Sequence, residues 1–142
     1  MWKMKNSQRL RRGILNMAIE VVRVSEKGRN HLISLKRRTG IENWNVLCRW
    51  SFCLSLSEKT IPPPLEVRDY SNVEMIWKVF GGEYADIYYL LLRQRCKNDG
   101  MELTDSVLET QFRLHLHRGI GYLHSSKDLT LLGLLQKGCV GI

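Results

Sequence analysis

No stretch of this sequence is apolar for long enough to cross a membrane. The apolar run at 87–92 falls far short of the roughly 18 residues that a spanning helix needs. Nor does an apolar core follow the basic first residues before Glu20, so a secretory leader is not expected. Cysteine is present but unpaired in pattern: Cys48, Cys53, Cys96 and Cys139 form no C-x-x-C and no Cys/His pair with zinc-finger spacing. A disulfide framework is not expected, and Cys48 and Cys53, inside an apolar helical run, read as small core residues. Proline is confined to Pro62-Pro63-Pro64, which forces an extended connector and reads as a rigid spacer rather than an SH3 ligand. There is no G-x-x-x-x-G-K-[ST] and no G-x-S-x-G, so neither a P-loop nor a nucleophile elbow is supported. His115 and His117 are two apart and would diverge by about 200° on a helix, so one metal does not easily take both. No metal site, no cofactor and no catalytic residue is expected. A Cys–His pair joined only in space has nothing in its favour.

What is there suits one domain of 142 residues, in which 44% apolar and 25% charged residues can fill a core without wholesale disorder. The formal charge is +8. Residues 1–40 carry 11 Lys/Arg and two acids, whereas 41–142 carry 11 Lys/Arg and 12 acids. The positive charge is an N-terminal property, and such asymmetry points to a polyanion. Residues 1–16 have no acid and no periodicity, and Met17 is expected to be the initiator. Arg11-Arg12-Gly13 is what a purine-rich ribosome-binding site would give if translated. The expected organisation is a basic extension at 1–16 and a single domain at 17–142, in a cytoplasmic protein.

The expected fold is mainly α, a bundle of four to five helices with a short N-terminal strand. Ile19 to Val24 is β-branched and reads as that strand. Ser25 should cap a helix running to about Thr39, with Gly40 ending it. Asn43 or Asn45 offers a cap for a second helix over 45–57, apolar around most of its circumference and so buried on more than one side. The alternation of Val73, Met75, Trp77 and Val79 permits a strand, and a one-turn helix fits as well. After Gly81-Gly82, a third helix spans 83–98. Its Ile87, Tyr88, Leu91 and Leu92 lie in a segment apolar on all faces, which suggests burial against a second subunit. Thr104 or Asp105 should cap a fourth helix with Leu108, Phe112, Leu116 and Ile120 on one face. Gly119 and Gly121 read as close-packing positions. A last short helix is expected near 127–136.

On the helix from Glu26 to Thr39, Leu32 and Leu35 define the core side. Lys27 and Arg38 project within about 20° of each other on one flank, and Arg29 and Lys36 do so on the other. Arg37 faces away from the core, and Arg23 adds a charge on the strand. Six basic residues stand against one acid between 23 and 38. A solvated helix face is the ordinary fate of such a run. The shortage of local carboxylates favours a phosphate-contacting role. The order strand, helix, Gly-turn, helix over 19–57 also fits a ribbon-helix-helix transcriptional regulator, with Arg23 facing the major groove.

The stretch VRVSEKGRNHLISLKRRTGIENWNVLCRWSFCLSL resembles the DndE family of bacterial DNA phosphorothioation (DNA sulfur modification) proteins. So do IPPP, WKVFGGEY at 77–84, LLRQRC at 91–96 and FRLHLHRGIGYL at 112–123. The resemblance covers about Val22 to Leu135. It implies a small, non-enzymatic, mainly helical subunit that binds the backbone of double-stranded DNA, intact or nicked, and self-associates, with a tetramer expected. It implies work beside a sulfurtransferase-like subunit, an ATPase-like subunit and a cysteine desulfurase. The family is thought to use surface lysines on DNA, and Lys27, Lys36, Arg37 and Arg38, with Arg29 beside them, are the positions that fit. Residues 1–16 have no counterpart in it.

Overall fold

Two short strands, five helices and a 3-10 turn form the regular structure of the described residues. The computed structural model describes residues 18–126. Strand β1 is Val21–Ser25, helix α1 Glu26–Thr39, helix α2 Trp44–Ser57, and strand β2 Tyr70–Ile76. A five-residue helix α3, Trp77–Gly81, and a 3-10 turn, Gly82–Tyr84, lead to α4, Ala85–Asn98, and α5, Asp105–Ser125. The mainly helical expectation with an N-terminal strand holds. The strand sits slightly later in the chain than its β-branched run suggested. The extension at 1–16, the start at Met17 and the helix near 127–136 lie outside the described residues.

The helix ends follow local chemistry. Ser25 Oγ accepts the Gly28 amide at 3.0 Å, and Gly40, at φ 76°, closes α1 by donating to Lys36 O. Thr104 Oγ1 accepts the Val107 amide and caps α5. Asn43 precedes α2 but forms no side-chain cap bond.

β1 pairs antiparallel with β2, and Arg23 lies opposite Glu74. Val22 and Val24 turn inward while Val21 and Arg23 face out. The register slips between Arg23 and Ser25. There Ser71 Oγ donates to Val24 O at 2.7 Å and so occupies a carbonyl near the irregularity. The ambiguous alternation at 73–79 resolves into both alternatives in succession. β2 ends at Ile76, and the chain turns helical at Trp77. Trp77 is buried and its indole N–H donates to Ala85 O at 3.1 Å. A continued strand would carry this large ring away from Phe80 and Phe112, whose centroids lie 4.9 Å from it.

The core gathers Leu32 and Leu35 of α1, Leu47 and Phe52 of α2, Leu92 of α4 and the Leu108–Phe112–Leu116–Ile120 stripe of α5. α2 and α5 pack most closely. A Cβ at Gly119 would stand 1.6 Å from Ser51 O, so a side chain there is excluded by backbone. Gly121 has open space around it, so the close-packing role belongs to Gly119. Cys48, Cys53 and Cys96 are free and buried, with the thiol of Cys48 pushed up to about 12 by burial.

Within the protomer, α4 is buried on one side only. Tyr89 and Leu92 are buried in the protomer, whereas Ile87 is 52% and Leu90 50% exposed. Tyr88 packs edge-on against Phe52, and Leu91 is half-buried. Leu92 therefore belongs to the protomer's own core rather than to its surface. Among the described residues no helix is long and apolar enough to cross a membrane.

Candidate nucleic-acid interface

α1 presents its cations because its other side is committed. Gly28, Leu32 and Leu35 face inward, and the charged positions fill the rest of the circumference. The two flanks expected from helical spacing are both present, and each meets a different neighbour.

On one flank, the Arg38 guanidinium donates to His124 O at 2.7 Å and Ser126 O at 2.6 Å, which anchors the last turn of α1 to the end of α5. On the other, Lys36 Nζ sits 3.5 Å from the Trp44 ring centroid. Arg29 lines a shallow cavity of about 310 Å³ with Trp44, Asn72, Val73 and Glu74. Lys27 and Arg37 are exposed. Arg23 has a carboxylate partner that its neighbours in sequence do not supply. Its Nε lies 3.5 Å from Glu74 Oε2 across the sheet, with both side chains 58% exposed. Among the described residues, none of Lys27, Arg29, Lys36, Arg37 and Arg38 pairs with a carboxylate.

The strand beside this face is already partnered. A ribbon-helix-helix regulator would offer β1 as half of a ribbon, but here β1 pairs with the chain's own β2. Arg23 is opposite Glu74 instead of standing free to read a groove.

The described cavities are lined by no cysteine, serine or histidine of the chain. The larger of them, about 380 Å³, lies between β1 and α5 and contains Glu20, Arg23, Glu109 and Arg113. Among the described residues, no three His, Cys, Asp or Glu side chains are placed to hold a metal. His115 and His117 do diverge. Ser25 N donates to His117 Nε2 at 3.1 Å and His117 Nδ1 donates to Arg113 O at 2.8 Å, which fixes a neutral tautomer.

The residues 21–130 match the family profile of the DNA sulphur modification protein DndE. The chain belongs to the DndE family. No curated protein matched it. In this DndE-family chain, β1, the basic helix α1 and the packing partners α2 and α5 all fall within the matched region. Family membership ties the protein to DNA sulfur modification.

Two functional-looking clusters were not foreseen from the sequence. Arg95 and Arg118 converge on the end of α2. Arg118 Nη2 donates to Ser55 O, Arg95 Nη1 donates to Leu56 O, and both reach Thr60 O, all at 2.8 Å. His31 and His124 stack with centroids 3.9 Å apart and planes 8° from parallel. Neither cluster has a sequence signal, since 39 and 63 residues separate Arg95 and Arg118 from the α2 carbonyls they meet, and His31 and His124 come from different helices.

Proposed function

We propose that this chain is a non-catalytic, DNA-binding subunit of the phosphorothioation machinery that holds the duplex by its phosphates through α1. The observation that carries the reading is the set of α1 cations without carboxylate partners among the described residues. Lys27, Arg29 and Arg37 are the freest of them, while Lys36 and Arg38 are oriented by Trp44 and the end of α5. Cations so placed would displace counterions from DNA. Arg29, Arg37 and Arg38 can fork onto phosphate oxygens, whereas Lys27 and Lys36 act as point charges.

The family connection supplies the setting, a system that exchanges a non-bridging phosphate oxygen for sulfur. The proposed partners are its sulfurtransferase-like, ATPase-like and cysteine desulfurase components. The protein is proposed to present α1 once per subunit of a homo-oligomer. Half-exposed Ile87 and Leu90 on α4 would contribute to the contact, with a tetramer as the expected state.

Gel shifts against random, nicked and operator-like duplexes at two salt concentrations test this. The expected result is steep salt dependence with little sequence preference. Replacing Lys27, Arg29 and Arg37 together by Ala should lower the magnitude of the log–log salt slope by about 2 to 3. Strong sequence preference with a shallow slope would overturn the reading. Intact DNA affinity in the triple variant, with loss of an acidic protein partner, would replace it with a scaffold role.

A further inference from the structure

The stacked histidines bring titratable groups to the edge of the basic face. His31 comes from the middle of α1 and His124 from the last turn of α5. Lys27 lies one helical turn before His31. Arg38 reaches the carbonyl of His124 itself. Two permanent cations and two imidazoles therefore meet where α1 and α5 join. Among the described residues, neither imidazole has a hydrogen-bond partner for its ring nitrogens, and none of the ion pairs reaches this cluster.

We propose that Lys27, His31, Arg38 and His124 form a phosphate subsite shared by α1 and α5, in which His31, stacked on His124, takes up a proton from solvent as a DNA phosphodiester binds. Rings stacked at 3.9 Å tolerate each other when neutral, and with one charge between them. A second proton places like charges face to face, beside two more cations. A phosphate oxygen at the ring edges reverses that balance, since it accepts N–H bonds and supplies the missing negative charge.

The surroundings agree on sign. From α1, the charge that acts on His31 is Lys27, and Arg38 bonds the His124 carbonyl. From α5, the titratable neighbour two turns earlier is His117, kept neutral by its bonds to Ser25 and Arg113. Burial, then His124, then Lys27 lowers the proton affinity of His31 in the free protein. An anion that offsets the two cationic influences raises it again, so proton and phosphate each favour the other's binding.

The inference rests on the DNA-backbone reading, and the two can fail separately. DNA affinity is measured at fixed ionic strength at pH 8 and pH 6 for the wild type and for the double variant His31→Gln, His124→Gln. Circular dichroism confirms the fold at both values. The wild type is expected to bind about fivefold more tightly at pH 6 than at pH 8. The double variant should bind no more tightly at pH 6 than at pH 8. Binding at pH 8 without pH dependence, or pH dependence that survives in the double variant, overturns the shared subsite and leaves the DNA reading standing. No binding at any pH removes the DNA reading and this inference with it. Should the double variant not fold, imidazole resonances of the wild type titrated with and without a short duplex decide the matter. An upward pKa shift of His31 on binding supports the subsite, and an unmoved His31 refutes it.

Discussion

His115 shows how burial sets the chemistry of a single side chain. Its Nδ1 lies 2.8 Å from Ser55 Oγ, and its Nε2 is buried without a hydrogen-bond partner. Burial first, then Arg95 and Arg118, pushes its pKa down to about 3. The geometry resembles a serine–histidine pair, but Ser55 is wholly buried and its Oγ also accepts from Arg118 Nε. The pair is a structural bond, closed to any substrate. Its consequence is acid lability. Unfolded His115 takes a proton below its ordinary pKa of 6.5 and the folded residue does not, so falling pH favours the unfolded chain. Stability present above pH 6.5 should decline steadily towards pH 3, by about 2 kcal/mol at pH 5 from this residue alone. His117, lowered chiefly by burial, acts in the same direction. Urea unfolding at pH 7.5 and pH 5 measures the change, and a flat profile would contradict it.

At the scale of elements, the contact between α2 and α5 carries the strongest prediction. Gly119→Ala must separate two backbones, because the new methyl would occupy the position of Ser51 O. The expected loss is about 3 kcal/mol by chemical denaturation, whereas Gly121→Ala, with open space around it, should cost nothing or slightly stabilise. Arg118 serves the same junction by donating to the carbonyl of Ser55 and by crossing to Thr60. Arg118→Lys keeps the charge but lacks the planar fork, so it should still lose about 1 to 2 kcal/mol. Much of this element pattern was legible in the sequence. Caps and helical stripes are local, so Ser25, Gly40 and Thr104 announced their roles. The turn from β2 into α3 was not, because Val73, Met75, Trp77 and Val79 alternate straight through it. Only the aromatic contacts of Trp77 with Phe80 and Phe112 decide where the strand ends. The α1 cations were legible as a cluster for the same local reason. Their neighbours Glu74, Trp44 and His124 were not, since each comes from another element.

For the whole molecule, the total of +8 overstates the charge that the family match contains. Five Lys/Arg lie in residues 1–16, ahead of the matched region. Counted from Met17, 17 Lys/Arg face 14 acids, a net of +3. Under the proposed DNA-binding role, a useful field would come from placement and from repetition across the subunits of the proposed oligomer. If α4 forms the contact between copies, Ile87→Asp with Leu90→Asp should reduce the mass seen by light scattering. Unfolding of the protomer should change by no more than about 0.5 kcal/mol, because both residues are half exposed. A monomeric wild type at micromolar concentration would refute that contact. The tie from Arg38 to the end of α5 bears on how such an assembly would meet a duplex. With Arg38 and Lys36 immobilised by their own fold, much of their rotational freedom is lost before any ligand arrives. The ends of α1 and α5 then move as one piece. A duplex would meet charges at preset spacing, much as a key meets cut wards. Lys27 and Arg37 are left to adjust to the local width of the groove.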